Sequence, residues 1–194
     1  MRPLLAALVG AVAIFVWLAV AHMFTPLGEA GLGYLPKEDA VSDALTSSIG
    51  AAPGMYMFPT GGLTKESSNA EKEKGMERMM EEMKTKPSGM LIYKPAGTTF
   101  NFGKCLAIEF LTDLAIALVA VLLLAQTRIV TFAGRVGFVV LIGVLAGIAA
   151  NVPHWNWYAF SGIYAVANIF MEIAAFFFAG LAIAAVSKPV AMGR

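Results

Sequence analysis

Four long stretches of the chain are almost free of charge, at residues 4–21, 105–125, 136–150 and 160–186. Between the first two lies a polar segment whose apolar residues recur only in short, broken patterns. About 20 apolar residues in a helix span the ~30 Å hydrocarbon layer of a bilayer. The pattern therefore predicts an all-α membrane protein, a four-transmembrane-helix bundle with a small extracytoplasmic α+β cap inserted between spans one and two. Expected boundaries are spans at 1–23, 105–127, 132–151 and 160–187, a cap at 24–104 and an outer turn at 152–159. Arg2, the first apolar run and Ala19-Val20-Ala21 have the layout of a signal peptide with a small-residue cleavage site. We read this run as a retained first span.

Within the cap, Pro36, Glu38 and Asp39 suit the first turn of a helix, and Ala40, Val41, Ala44 and Leu45 give it one apolar face. A helix over 36–48 follows, stopped by Ala52-Pro53-Gly54. Two β-prone strings, 54–59 and 89–95, are each bracketed by Pro and Gly and are expected to pair antiparallel, with 98–102 as a third strand. Between them Ser68-Asn-Ala-Glu71 fits a capping box. Met76, Met79, Met80 and Met83 then repeat at helical spacing, predicting an amphipathic helix over 66–84 with a methionine stripe. Thioethers are soft ligands that suit Cu(I). They also fill adaptable apolar faces, and with no Cys or His in the segment the packing or partner-contact reading is preferred.

Charge gives orientation and excludes several classes. Arg2, Arg128, Arg135, Lys188 and Arg194 all fall on one side if both termini are cytoplasmic, and the turn at 152–159 has no Lys or Arg. Residues 24–104 then lie in the periplasm of a bacterial inner membrane. Net charge is +1, so no basic field points to nucleic acid. The single cysteine, Cys105, rules out an intrachain disulfide, a CxxC zinc site and a paired-thiol oxidoreductase.

Candidate chemistry sits in the spans, where charged groups are expensive and default to function. Glu109 and Asp113 are spaced i, i+4 on one face of span two, about 6 to 13 Å below its outer end at ~1.5 Å per residue. Span four carries Ser161, Tyr164, Asn168 and Glu172 along one face. The outer turn adds Asn151, His154, Trp155, Asn156, Trp157 and Tyr158, and His22 ends span one. The expectation is one polar cavity in the outer half of the bundle, into which Glu109, Asp113 and Glu172 point. It has four readings: carboxyls that fix helix register, a bound cation of unspecified metal with His154 or His22 as further ligands, a proton or solute path, and paired-carboxylate catalysis. Catalysis is disfavoured by the absence of any Gly-x-Ser-x-Gly, His-Glu-x-x-His, phosphate-loop or Ser/His/Asp set. No residue pattern predicts a cofactor. Gly143 and Gly147 give span three a smooth face for helix contact, within the bundle or in self-association.

The order of elements resembles the claudin topology, although the Trp-Gly-Leu-Trp motif and loop cysteines of that family are missing, so nothing more is carried over. The strings Glu38-Asp39-Ala40-Val41, Gly54-Met-Tyr-Met-Phe-Pro59 and Arg135-Val-Gly-Phe138 are similar to uncharacterised four-span bacterial inner-membrane proteins. That resemblance implies the architecture alone. The reading favours a non-catalytic accessory or scaffold subunit of a membrane complex, in contact with lipid and other subunits. The alternative is a small-solute or cation-binding protein using the acidic cavity, and a membrane-embedded enzyme comes third.

Overall fold

The computed structural model describes residues 2–187. Lys188 and Arg194, two of the five cations used for orientation, lie outside the described residues. The elements in order are α1 (Arg2–Phe24), a 3-10 turn (Pro26–Glu29), α2 (Glu38–Ile49), β1 (Gly54–Phe58), α3 (Asn69–Glu82), β2 (Gly89–Tyr93), α4 (Phe102–Ala125), α5 (Phe132–Tyr158) and α6 (Gly162–Val186). Helices α1, α4, α5 and α6 are each long and apolar enough to cross a membrane. The chain divides into a bundle built from these four helices and an insert of residues 33–99.

In the bundle α1 packs along both α4 and α6, α5 packs along α6, and α4 meets α5 only lightly. Lipid tails are as apolar as leucine, so helices in a membrane associate through close van der Waals packing, which small residues permit. The sequence supplies them. Ala6, Ala7 and Ala11 of α1, Ala117 and Ala120 of α4, and Ala175 and Ala179 of α6 are buried together around Ile14, Val139, Phe176 and Ile183. This core belongs to the half of the bundle where α1 and α5 begin and α4 and α6 end; we call that the terminal end, and the opposite one the insert end. The glycine face of α5 is also covered within the chain. A Cβ on Gly143 would lie 2.5 Å from the Cβ of Phe176, and one on Gly147 3.5 Å from the Cβ of Glu172. Self-association through Gly143 and Gly147 would first require α6 to leave.

One expected boundary moves. Residues 152–158 continue α5 instead of forming a turn, with Pro153 inside the helix. Proline removes one N–H and crowds the carbonyl four residues back, but the residues after it keep their own donors. The helix ends at Ala159, which takes the left-handed conformation (φ 57°) and donates its N–H to the His154 carbonyl. Only residues 159–161 separate α5 from α6.

The insert departs from expectation at its edges. Pro36 precedes the helix; Lys37, at φ 59°, stands at the N-cap of α2 with no side-chain cap. β1 and β2 pair antiparallel in the register Gly54↔Tyr93, Tyr56↔Leu91 and Phe58↔Gly89. Residues 98–102 form no third strand, because Asn101 caps α4 and Phe102 begins it. The capping box of α3 is complete: the Ser68 hydroxyl accepts from the Glu71 N–H, and the Glu71 carboxylate accepts from the Ser68 N–H at 2.7 Å. The Ser68 hydroxyl bonded to that carboxylate, followed by the Ser68 N–H, holds the Glu71 carboxyl below its ordinary value of 4.5. Ion pairs Lys84–Glu81 and Lys86–Glu82 (2.6 and 2.9 Å) lie on the surface, where such pairs contribute little.

Candidate functional site

Asp113 lies about three turns below the start of α4 and is 1 % exposed. Its Oδ2 has no hydrogen-bond partner among the described residues. Glu109, one turn nearer the insert end on the same helix, and Glu172 of α6 both lie close enough for their charges to act on Asp113, and Glu109 acts on Glu172 as well. The fold thus brings the three acids of α4 and α6 into one electrostatic neighbourhood, although Glu109 itself is exposed and Glu172 half-buried. They do not form a chelate. Among the described residues no group of three or more His, Cys, Asp or Glu side chains is arranged to hold a metal ion.

The remaining polar candidates are mostly occupied by their own helices. Asn168 donates to the Tyr164 carbonyl and Asn151 to the Gly147 carbonyl, both at 2.9 Å. These amides satisfy backbone acceptors one turn back and leave their side-chain oxygens available. His22 is exposed and its Nδ1 donates to the Leu18 carbonyl at 2.9 Å. It shares with Glu109 a groove of about 330 Å³ between α1 and α4, whose walls include Phe15, Leu18, Phe102 and Cys105. His154 is elsewhere: its ring stacks on Phe160 with centroids 5.1 Å apart, and Phe160 meets Tyr164 edge-on at 5.6 Å. His22 and His154 therefore sit in different surroundings, the one beside Glu109 and the other in an aromatic cluster of the α5–α6 turn.

The methionine stripe is only partly covered. On α3, Gly75 is buried against Leu63, and Arg78 Nε donates to the Gly61 carbonyl at 2.9 Å, so the loop at 61–63 covers that side of the helix. Met79 beside it is half-buried. Met76, Met80 and Met83 are 49 %, 53 % and 48 % exposed. The sheet repeats the pattern, since Met55 faces Ile92 and Met57 faces Met90 across the strands. Met55, Met57 and Ile92 are all exposed. On the other face Tyr56 and Tyr93 meet edge-on at 6.5 Å, and the Tyr93 hydroxyl donates to the Gly50 carbonyl at 3.0 Å.

Two residues escaped the sequence reading. The Trp17 indole donates to the Met171 carbonyl at 2.9 Å, tying α1 to α6. Arg135, read from the sequence as an orientation charge, is 8 % exposed, and its Nη1 donates to the carbonyl and hydroxyl of Ser187 at the end of α6. A signal for it existed. Arg135, Val139, Gly143 and Gly147 recur every four residues, so the stripe that packs on α6 runs back to the arginine.

No protein-family model, curated protein or solved structure matches the chain.

Proposed function

We propose that this chain is a non-catalytic accessory or scaffold component of a bacterial inner-membrane complex, with both termini cytoplasmic and the insert in the periplasm. The insert presents its methionine surface to a partner protein. One observation carries this reading: Tyr93 is the one large apolar side chain of the insert that is buried, while Met55, Met57, Ile92, Met76, Met80 and Met83 stand in solvent. Exposed apolar side chains gathered on one face of an element, as on α3 and on one side of the sheet, mark interaction sites. Methionine suits such a surface because its unbranched thioether adapts to the partner. Charges from Glu73 and Glu77 border the stripe and would form the polar rim. Arg128 and Arg135 beside the α4–α5 connection, set against none at 159–161, support the orientation. The test is purification from native membranes in mild detergent. A stoichiometric partner, lost when Met76, Met80 and Met83 are changed together to Ser, is the expected result; a clean monomer overturns the reading.

A second reading rests on the orphaned oxygen of Asp113. Ionisable groups at that depth commonly serve proton or small-cation sites. With Glu109 and Glu172 nearby, Asp113 is the residue to which a transported or sensed proton or cation would bind. Asp113→Asn is then expected to abolish ligand-dependent change while expression stays normal. Loss of expression instead assigns the acids to holding the helices in register.

A further inference from the structure

The terminal end of the bundle holds a cavity of about 200 Å³ that neither reading above uses. Its walls come from all four spans: Ala6 of α1, Val121 and Leu124 of α4, Ile183 of α6 and, at its polar side, Arg135 with Ser187. Arg135 is more than nine-tenths buried. Its Nη1 is engaged by Ser187, which completes the carbonyl end of α6, as a cation at a helix C-terminus should. That bond leaves the Nε proton unexplained. Nε is buried with no acceptor, and among the described residues no carboxylate pairs with the guanidinium. A buried charge without a counter-ion is strongly unfavourable, and the guanidinium fork suits the oxygens of a phosphate.

We infer that this cavity binds a phosphate-bearing anion on Arg135, with a hydroxyl donor available from Ser187. The apolar walls contributed by Ala6, Val121 and Ile183 favour an anionic phospholipid, whose chain continues from the headgroup between α1, α4 and α6. Basic pockets between spans on the cytoplasmic side are suited to such headgroups. A free inorganic phosphate offers the same oxygens without the chain.

Native mass spectrometry of the delipidated full-length protein distinguishes these sources. Titration with phosphatidylglycerol is expected to give a one-to-one adduct, with phosphatidylcholine and inorganic phosphate much weaker. Arg135→Gln should weaken phosphatidylglycerol binding by about 10-fold or more, as for loss of a charge-assisted hydrogen bond. One-to-one binding of inorganic phosphate that depends on Arg135 and is not displaced by phosphatidylglycerol supports the anion site with the free ion as its source. Equal binding of the two lipids, or phosphatidylglycerol binding unchanged in Arg135→Gln, overturns the proposal, as does failure of every phosphate probe to bind. Because Arg135 also closes α6, a second variant is needed. Ala125 lines the cavity from an exposed position, so Ala125→Trp fills it while leaving Arg135 and Ser187 in place. That variant should retain full helicity and lose the lipid adduct; an unchanged adduct overturns the site even if Arg135→Gln fails to fold.

Discussion

The bundle and the insert solve the same problem in opposite ways. Near its terminal end the bundle buries alanines from three helices against Val139, Phe176 and Ile183, so the helices are held by close approach of their backbones. The insert, of residues 33–99, buries Tyr93 and two glycines, Gly61 and Gly75, and leaves most of its large apolar side chains outside. One unit is finished by its own packing. The other is held by a capping box, a two-strand ladder and a few hydrogen bonds, and its apolar area is directed outward. A small segment without a core is marginal by itself, and the proposed partner would supply the burial that the insert lacks.

The contrast can be broken most severely at Tyr93. Removing a buried aromatic side chain costs about 3–5 kcal/mol, and Tyr93→Ala also deletes the bond to Gly50. Hydrogen exchange should then show the insert amides unprotected while the four spans keep their protection; equal loosening of both units would mean that they share one stabilising core. A smaller effect is expected from the bundle side. Gly143→Val drives a side chain into Phe176, and overpacking of this kind costs about 1–3 kcal/mol. Its thermal midpoint should fall while insert amides stay as they were.

Acid gives the smallest of these effects. The capping box keeps Glu71 below its ordinary value of 4.5. The box therefore supports α3 fully above that value, and its support is lost as pH falls through the lowered one. Circular dichroism of the chain should show helix loss on acidification within that range, absent in Glu71→Gln. A loss of the same size in the variant would assign it to other carboxylates.

Run length and lack of charge made the four spans legible, because burial of backbone in lipid leaves few alternatives to a helix. The α3 cap and the two strands were legible too, since Ser68, Glu71 and the Pro/Gly brackets act locally. Tertiary neighbours were not. Nothing in the run of α1 announces that it lies between α4 and α6, or that Trp17 finds a carbonyl at Met171. The outer turn expected at 152–159 was misplaced because the continuation of α5 through Pro153 to Tyr158 depends on donors that follow the proline. For the candidate site, the i, i+4 spacing of Glu109 and Asp113 puts them one turn apart on α4, yet Glu109 is exposed and Asp113 buried. Their unequal exposure and the separation of His154 from His22 depend on helix packing that no single run encodes.

The claim that the insert's methionine surface is completed by another protein is tested most directly by photocrosslinking in native membranes. A photoreactive residue at Met80, 53 % exposed in the stripe, is compared with one at Lys74 on the far side of α3. A discrete cross-link to a second protein from position 80, and little from position 74, is the predicted result. Equal labelling at both positions, or none at position 80, would contradict the account.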